Sequence, residues 1–126
     1  MGDYTAKITL DGEEFDLLLS TEATKLIATK HGGLDNLGEK LLKLENMELA
    51  LDEVCWLVAT LANAPIKKHN FKEPNAQKPL LTAEAVGILS TPLELADYKD
   101  AIMVALTKGT KRTVESESDT KNAQAG

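Results

Sequence analysis

The side chains with most chemistry to offer are two histidines, one cysteine and two pairs of adjacent carboxylates. His31 and His69 are far apart, expected at a helix end and in a loop. With Cys55 inside an apolar run, they form no metal cluster, which draws on three or four convergent ligands. Cys55 reads as a small buried hydrophobe rather than a nucleophile. Neighbouring side chains on a strand or helix diverge, so neither Glu13-Glu14 nor Asp52-Glu53 makes an acid/base dyad; both read as solvated surface. Gly32-Gly33 reads as a helix stop, not a phosphate-binding loop. No Ser/His/Asp set can be nominated. The expectation is a protein that is not an enzyme, with no catalytic, metal or cofactor-binding residue and no cofactor.

The elements that would position any site are organised around Leu51–Asn63. This is the most apolar run of the 126 residues. It is too short to span a bilayer, which takes about 20 apolar residues. At 100° per residue, Val54, Leu57, Val58 and Leu61 share one broad face. Ala64-Pro65 is expected to end this helix, because proline disfavours a helical residue before it. Trp56 breaks the pattern by projecting into the polar stripe of Asp52, Glu53, Thr60 and Asn63. Either another segment of the chain covers it, the favoured reading, or it is a partner or protomer contact of the kind tryptophan often makes.

Ahead of that helix, Tyr4–Leu10 and Glu14–Ser20 alternate apolar and polar residues around Asp11-Gly12, a strong type I′ turn signal. They predict a hairpin with Ala6, Ile8, Leu10, Phe15, Leu17 and Leu19 on one face. Leu18 lies on the other, as ordinary surface or part of an interface. Ser20 or Thr21 caps a first helix to about His31, with Ala23, Leu26, Ile27 and Lys30 inward. Leu34–Leu44 predicts a second helix. Pro65–Pro79 reads as a long loop, with Phe71 or Ile66 pinning it over Trp56. The alternative is a contact for an acidic partner through Lys67 and Lys68, since residues 64–81 carry four lysines against Glu73 alone. Thr82 caps a short helix, Ala83–Leu89, with Val86 and Leu89 inward. Thr91-Pro92 opens the last helix, running to about Lys108 with Leu95, Tyr98, Ile102, Ala105 and Leu106 buried and Gly109 as its stop.

The predicted fold class is therefore α+β: a two-stranded hairpin packed on about five helices in one domain, residues 1–109. The tail, residues 110–126, has too little apolar surface to order itself and is expected to be disordered. A formal net charge of −6 argues against nucleic-acid binding. Aromatic content is only 4%, so the core must be mainly aliphatic. With a lone cysteine and no signal peptide or membrane span in evidence, a cytosolic setting is expected.

The order of elements carries a resemblance. The hairpin KITLDGEEFDLLLSTEA leads into a helix ending at His31-Gly32-Gly33-Leu34. LDNLGEKL, LDEVCWLVATLAN, LLTAEAVGIL and a last helix ending IMVALTKG follow. This resembles the tail assembly chaperones of long-tailed bacteriophages, with their gene transfer agent and prophage relatives, over roughly Lys7 to Gly109. The resemblance implies a non-enzymatic assembly factor in the bacterial host cytoplasm, absent from the mature virion. Its partners would be the tape measure protein, which it holds soluble, and the tail tube protein, which it recruits. A programmed frameshift near the gene's end would fall in the tail, and a homo-oligomer is possible in such a family. Trp56, Phe71, Lys67, Lys68 and Leu18 are the candidate protein-contact residues. The rivals are a small acidic regulatory or antitoxin-like module and, less favoured, a small hydrolase.

Overall fold

The structure, a computed structural model, describes residues 4–34, 37 and 47–110. It is α+β, with a two-stranded antiparallel sheet and, among the described residues, four helices. Strands β1 (Thr5–Leu10) and β2 (Glu13–Leu18) are followed by α1 (Thr21–His31), α2 (Met47–Lys72), α3 (Ala83–Leu89) and α4 (Pro92–Thr110). The expected helix over Leu34–Leu44 falls mainly outside the described residues; of it, Leu37 is buried. The expected disordered tail lies outside them too, apart from Thr110, which ends α4.

The hairpin forms as its pattern predicts. Asp11 and Gly12 both take positive φ, 50° and 80°, as a type I′ turn requires. The register pairs Leu10 with Glu13, Ile8 with Phe15 and Ala6 with Leu17. Ala6, Ile8, Leu10, Leu17 and Leu19 are buried, and Phe15 packs partly buried against them. Leu18 also turns out to be partly buried against the core rather than plain surface.

The largest departure from expectation is α2. It does not end at Ala64 but runs from Met47 through Pro65 to Lys72. A proline inside a helix lacks the N–H that would bond Leu61 and crowds that carbonyl, at a cost of about 3 kcal/mol. Burial offsets it: Val54, Leu57, Val58, Ala59, Leu61, Ala62 and Ala64 are all in the core. At 26 residues, α2 is long and apolar enough by length and composition to cross a membrane. In this fold its buried face lies under β2, α3 and α4, the place of a core helix.

The remaining helices hold to their caps with small corrections. Ser20 Oγ accepts from the Ala23 N–H, and the Gly32 N–H closes α1 on the Ala28 carbonyl. Ala23 and Ile27 are buried on α1, but Leu26 is 42% exposed and the Lys30 side chain 41%. On α3, Val86 is buried while Leu89 faces water. On α4, Leu95, Tyr98, Ile102 and Ala105 are buried as expected, and Leu106 is half-buried. Gly109 is not a stop, since the helix runs past it. A Cβ there would lie 2.7 Å from Leu19 Cβ, so the glycine permits α4 to close on the chain leaving β2.

Tyr98 ties α4 to β1. Its hydroxyl donates to the Thr9 carbonyl at 2.6 Å. Burial, then the charges of Glu94 and Asp97, push its phenol pKa above the ordinary value of about 10. A raised acid pKa gives stability that is complete below the unfolded value and is lost as pH rises through the folded one. Tyr98→Phe should cost about 1–3 kcal/mol near neutrality by stranding the Thr9 carbonyl. It should also flatten the fall in stability above pH ~10 in denaturant titrations run from pH 8 upward.

Candidate protein-binding groove

The two edges of the hairpin are treated differently. In a two-residue hairpin the closing pair, Leu10 and Glu13, exchanges both hydrogen bonds, and bonded and non-bonded pairs then alternate. With the observed register, Thr5, Lys7, Thr9, Glu14, Asp16 and Leu18 therefore aim their N–H and C=O groups away from the sheet. On the β1 side, α4 meets two of the carbonyls: Tyr98 Oη bonds that of Thr9, and Lys108 Nζ bonds that of Thr5 at 2.8 Å. The spacing fits, since ten helical residues and four strand residues each span about 13–15 Å. On the β2 side, the backbone groups of Glu14, Asp16 and Leu18 have no hydrogen-bond partner among the described residues.

That open edge borders a groove of about 490 Å3. One wall is Glu13–Asp16. Ala62, Pro65, Ile66 and His69 of α2 form the floor, and residues 78–81 form the far wall. The floor exists because α2 continues past Pro65.

Two asparagines on α2 build the far wall. Asn63 Nδ2 donates to the Leu81 carbonyl at 2.8 Å, and its Oδ1 accepts from the Leu81 N–H at 2.7 Å. Asn70 does the same for Lys78, donating at 3.0 Å and accepting at 2.8 Å. A carboxamide has both a donor and an acceptor, so it can hold a backbone N–H and C=O together. Seven helical residues rise about 10.5 Å. Three residues of extended chain cover about 9–10 Å, and Pro79 favours that conformation in itself and in Lys78. His69 Nε2 adds a 2.8 Å bond to the Ala76 carbonyl. His69 is thus a helical residue that fastens the returning chain, not a loop residue.

The carboxylates divide by partner. Asp16 is bound by Lys7 at 2.7 Å, while Glu13 and Glu14 form no salt bridge among the described residues and lie exposed. Elsewhere, Glu53 is not solvated surface. It takes Lys30 Nζ at 3.3 Å and His31 Nε2 at 2.7 Å, with only 14% of its side chain exposed. Burial, reinforced by Asp52, pushes the Cys55 thiol pKa upward, which disfavours the thiolate. Among the described residues no three His, Cys, Asp or Glu side chains gather to hold a metal ion.

The five expected contact residues do not gather at one place, although Lys67, Lys68 and Phe71 share the last turns of α2. Trp56 is half-buried, and its cover comes from α1: Lys30 Nζ sits 4.1 Å from the ring centroid, and His31 meets the ring edge-on at 6.2 Å. The expected lid from the segment after Pro65 is ruled out by geometry. That segment is helix to Lys72, and Ile66 and Phe71 lie about 15 and 22 Å along it from Trp56. Phe71 is 89% exposed and pins nothing. Lys67 pairs with Glu22 at 2.8 Å, Lys68 is exposed, and Leu18 packs on the core. The seven-residue spacing of Asn63 and Asn70 has meaning only on an unbroken helix, so a helix ending at Ala64 gives no sign of the pair.

No family model matches the chain, and no curated protein or solved structure does either.

Asn63→Ala should cost about 1–3 kcal/mol, because it strands a half-buried backbone donor and acceptor at once. Asn63→Asp should also destabilise, since a carboxylate would oppose the Leu81 carbonyl. In both variants hydrogen exchange should quicken first at Leu81, read by NMR.

Proposed function

We propose that this chain is a non-enzymatic protein-binding factor, acting as a tail assembly chaperone of a long-tailed bacteriophage or a related element. In this reading it works in the bacterial host cytoplasm. It holds the tape measure protein soluble and recruits tail tube subunits to it, and it leaves before the virion matures. The observation that carries the reading is the groove beside the open edge of β2. Its floor is mainly apolar and one wall offers backbone groups with no partner among the described residues, the requirements for gripping a polypeptide. The reaction-prone side chains, by contrast, are committed to structure: His31 and Glu53 to each other, His69 to Ala76, and Cys55 to the core. Large apolar side chains exposed elsewhere, Phe71, Ile88 and Leu93, add further contact area.

Co-expression with the tape measure protein encoded beside it tests this. The expected result is a larger soluble fraction of that protein and its co-purification with this chain. An insoluble tape measure protein that never co-purifies would contradict the proposal.

A further inference from the structure

We propose that the groove takes an extended peptide segment as a third strand on β2, and that this segment alternates basic and apolar side chains. The inference rests on the protein-binding reading above and specifies the chemistry of what is bound.

The two edges of the hairpin differ. Tyr98 and Lys108 cap two carbonyls of the β1 edge, whereas the outward backbone groups of Glu14 and Asp16 border the groove and have no hydrogen-bond partner among the described residues. An unpaired edge is a template for another strand, and proteins that do not use one usually cover it. On the far wall, Lys78 and Leu81 have already given their N–H and C=O groups to Asn70 and Asn63. The incoming strand takes its ladder from β2.

Side-chain chemistry follows from the pleat. A strand added to β2 continues its alternation, so its side chains stand beside those of β2 on each face. On the inner face the neighbours are Phe15 and the α2 floor at Pro65 and Ile66, which suit an apolar residue, with the exposed Glu13 carboxylate at the turn end of the same face. On the outer face the neighbours are Glu14, which has no cation of its own among the described residues, and Asp16, shared with Lys7. They suit lysine or arginine. Lys78 on the far wall is the single opposing cation in the lining, against Glu13, Glu14 and Asp16.

The test uses the full chain and a blocked heptapeptide of alternating lysine and valine. Amide exchange and chemical shifts are followed by NMR. The amides of Glu14 and Asp16 should exchange freely in the chain alone. Saturating peptide should slow them at least about tenfold, with shift changes at Phe15 and Ile66. A peptide N-methylated at every second residue keeps charge and side chains but lacks ladder donors; it should bind about tenfold or more weakly, as should a glutamate–valine peptide. Glu14→Lys, at an exposed position, should weaken the lysine–valine peptide similarly with an unchanged thermal midpoint. The peptide exchanges leave the protein intact, so they decide the matter even if that variant fails to fold.

Equal binding of the N-methylated peptide would overturn the strand-addition mode, and equal binding of the glutamate–valine peptide would overturn the charge preference. Protection of Glu14 and Asp16 before any peptide is added would show another occupant. Concentration-dependent protection would mean a second copy, and concentration-independent protection a segment of the same chain. Failure here differs from failure of the chaperone reading. If Glu14→Lys still solubilises the tape measure protein, the groove is refuted and the chaperone stands. If the unaltered chain binds the peptide but never that protein, the reverse holds.

Discussion

The helix through Pro65 is the constraint on which the rest of the molecule depends. Had α2 stopped at Ala64, Ile66 and His69 would not form a floor and Asn70 would have no fixed position. The chain after Lys72 would then have nothing to return along. A proline at this point costs about 3 kcal/mol in a helix interior. The core on the preceding three turns, from Val54 to Ala64, supplies the opposing free energy. Contacts on both sides of Pro65 add to it, with Asn63 and Asn70 holding the backbone from Lys78 to Leu81 at two points.

The hairpin depends on that helix in turn. Two strands alone are marginal in water, and their apolar face is buried on α2 and α4. Docking them fixes the fate of each edge. α4 lies along β1, close enough for Tyr98 and Lys108 to reach its outward carbonyls and for Gly109 to touch Leu19. β2 lies over α2, and the same arrangement leaves its outer edge facing the groove. The asymmetry places the open edge above the apolar floor.

Elements governed by local rules could be read directly from the sequence. The type I′ turn at Asp11-Gly12, the Ser20 and Thr82 caps and the alternation of the hairpin are decided within a few residues, and each appears as expected. The end of α2 could not be read that way. A local rule, proline as breaker, loses there to the burial of residues distant in sequence. That single error hid the groove, since it turned Ile66, His69 and Asn70 into loop residues. Trp56 is covered by another segment of the chain, as expected, but by the end of α1 through Lys30 and His31 and not by the stretch after Pro65. Leu26 and Leu89 show the lesser limit: helical periodicity marks a broad apolar face, but the neighbours packed on it decide which of its edges stay wet.

The most direct test of this account is the backbone state of Ile66–Phe71 in the full chain, read by NMR from Cα secondary shifts and amide exchange. Helical shifts continuing through Pro65, with protected amides from Ile66 onward, are what the account predicts. Coil-like shifts and unprotected amides over those residues would contradict it, because neither the groove floor nor the Asn70 clamp could then exist.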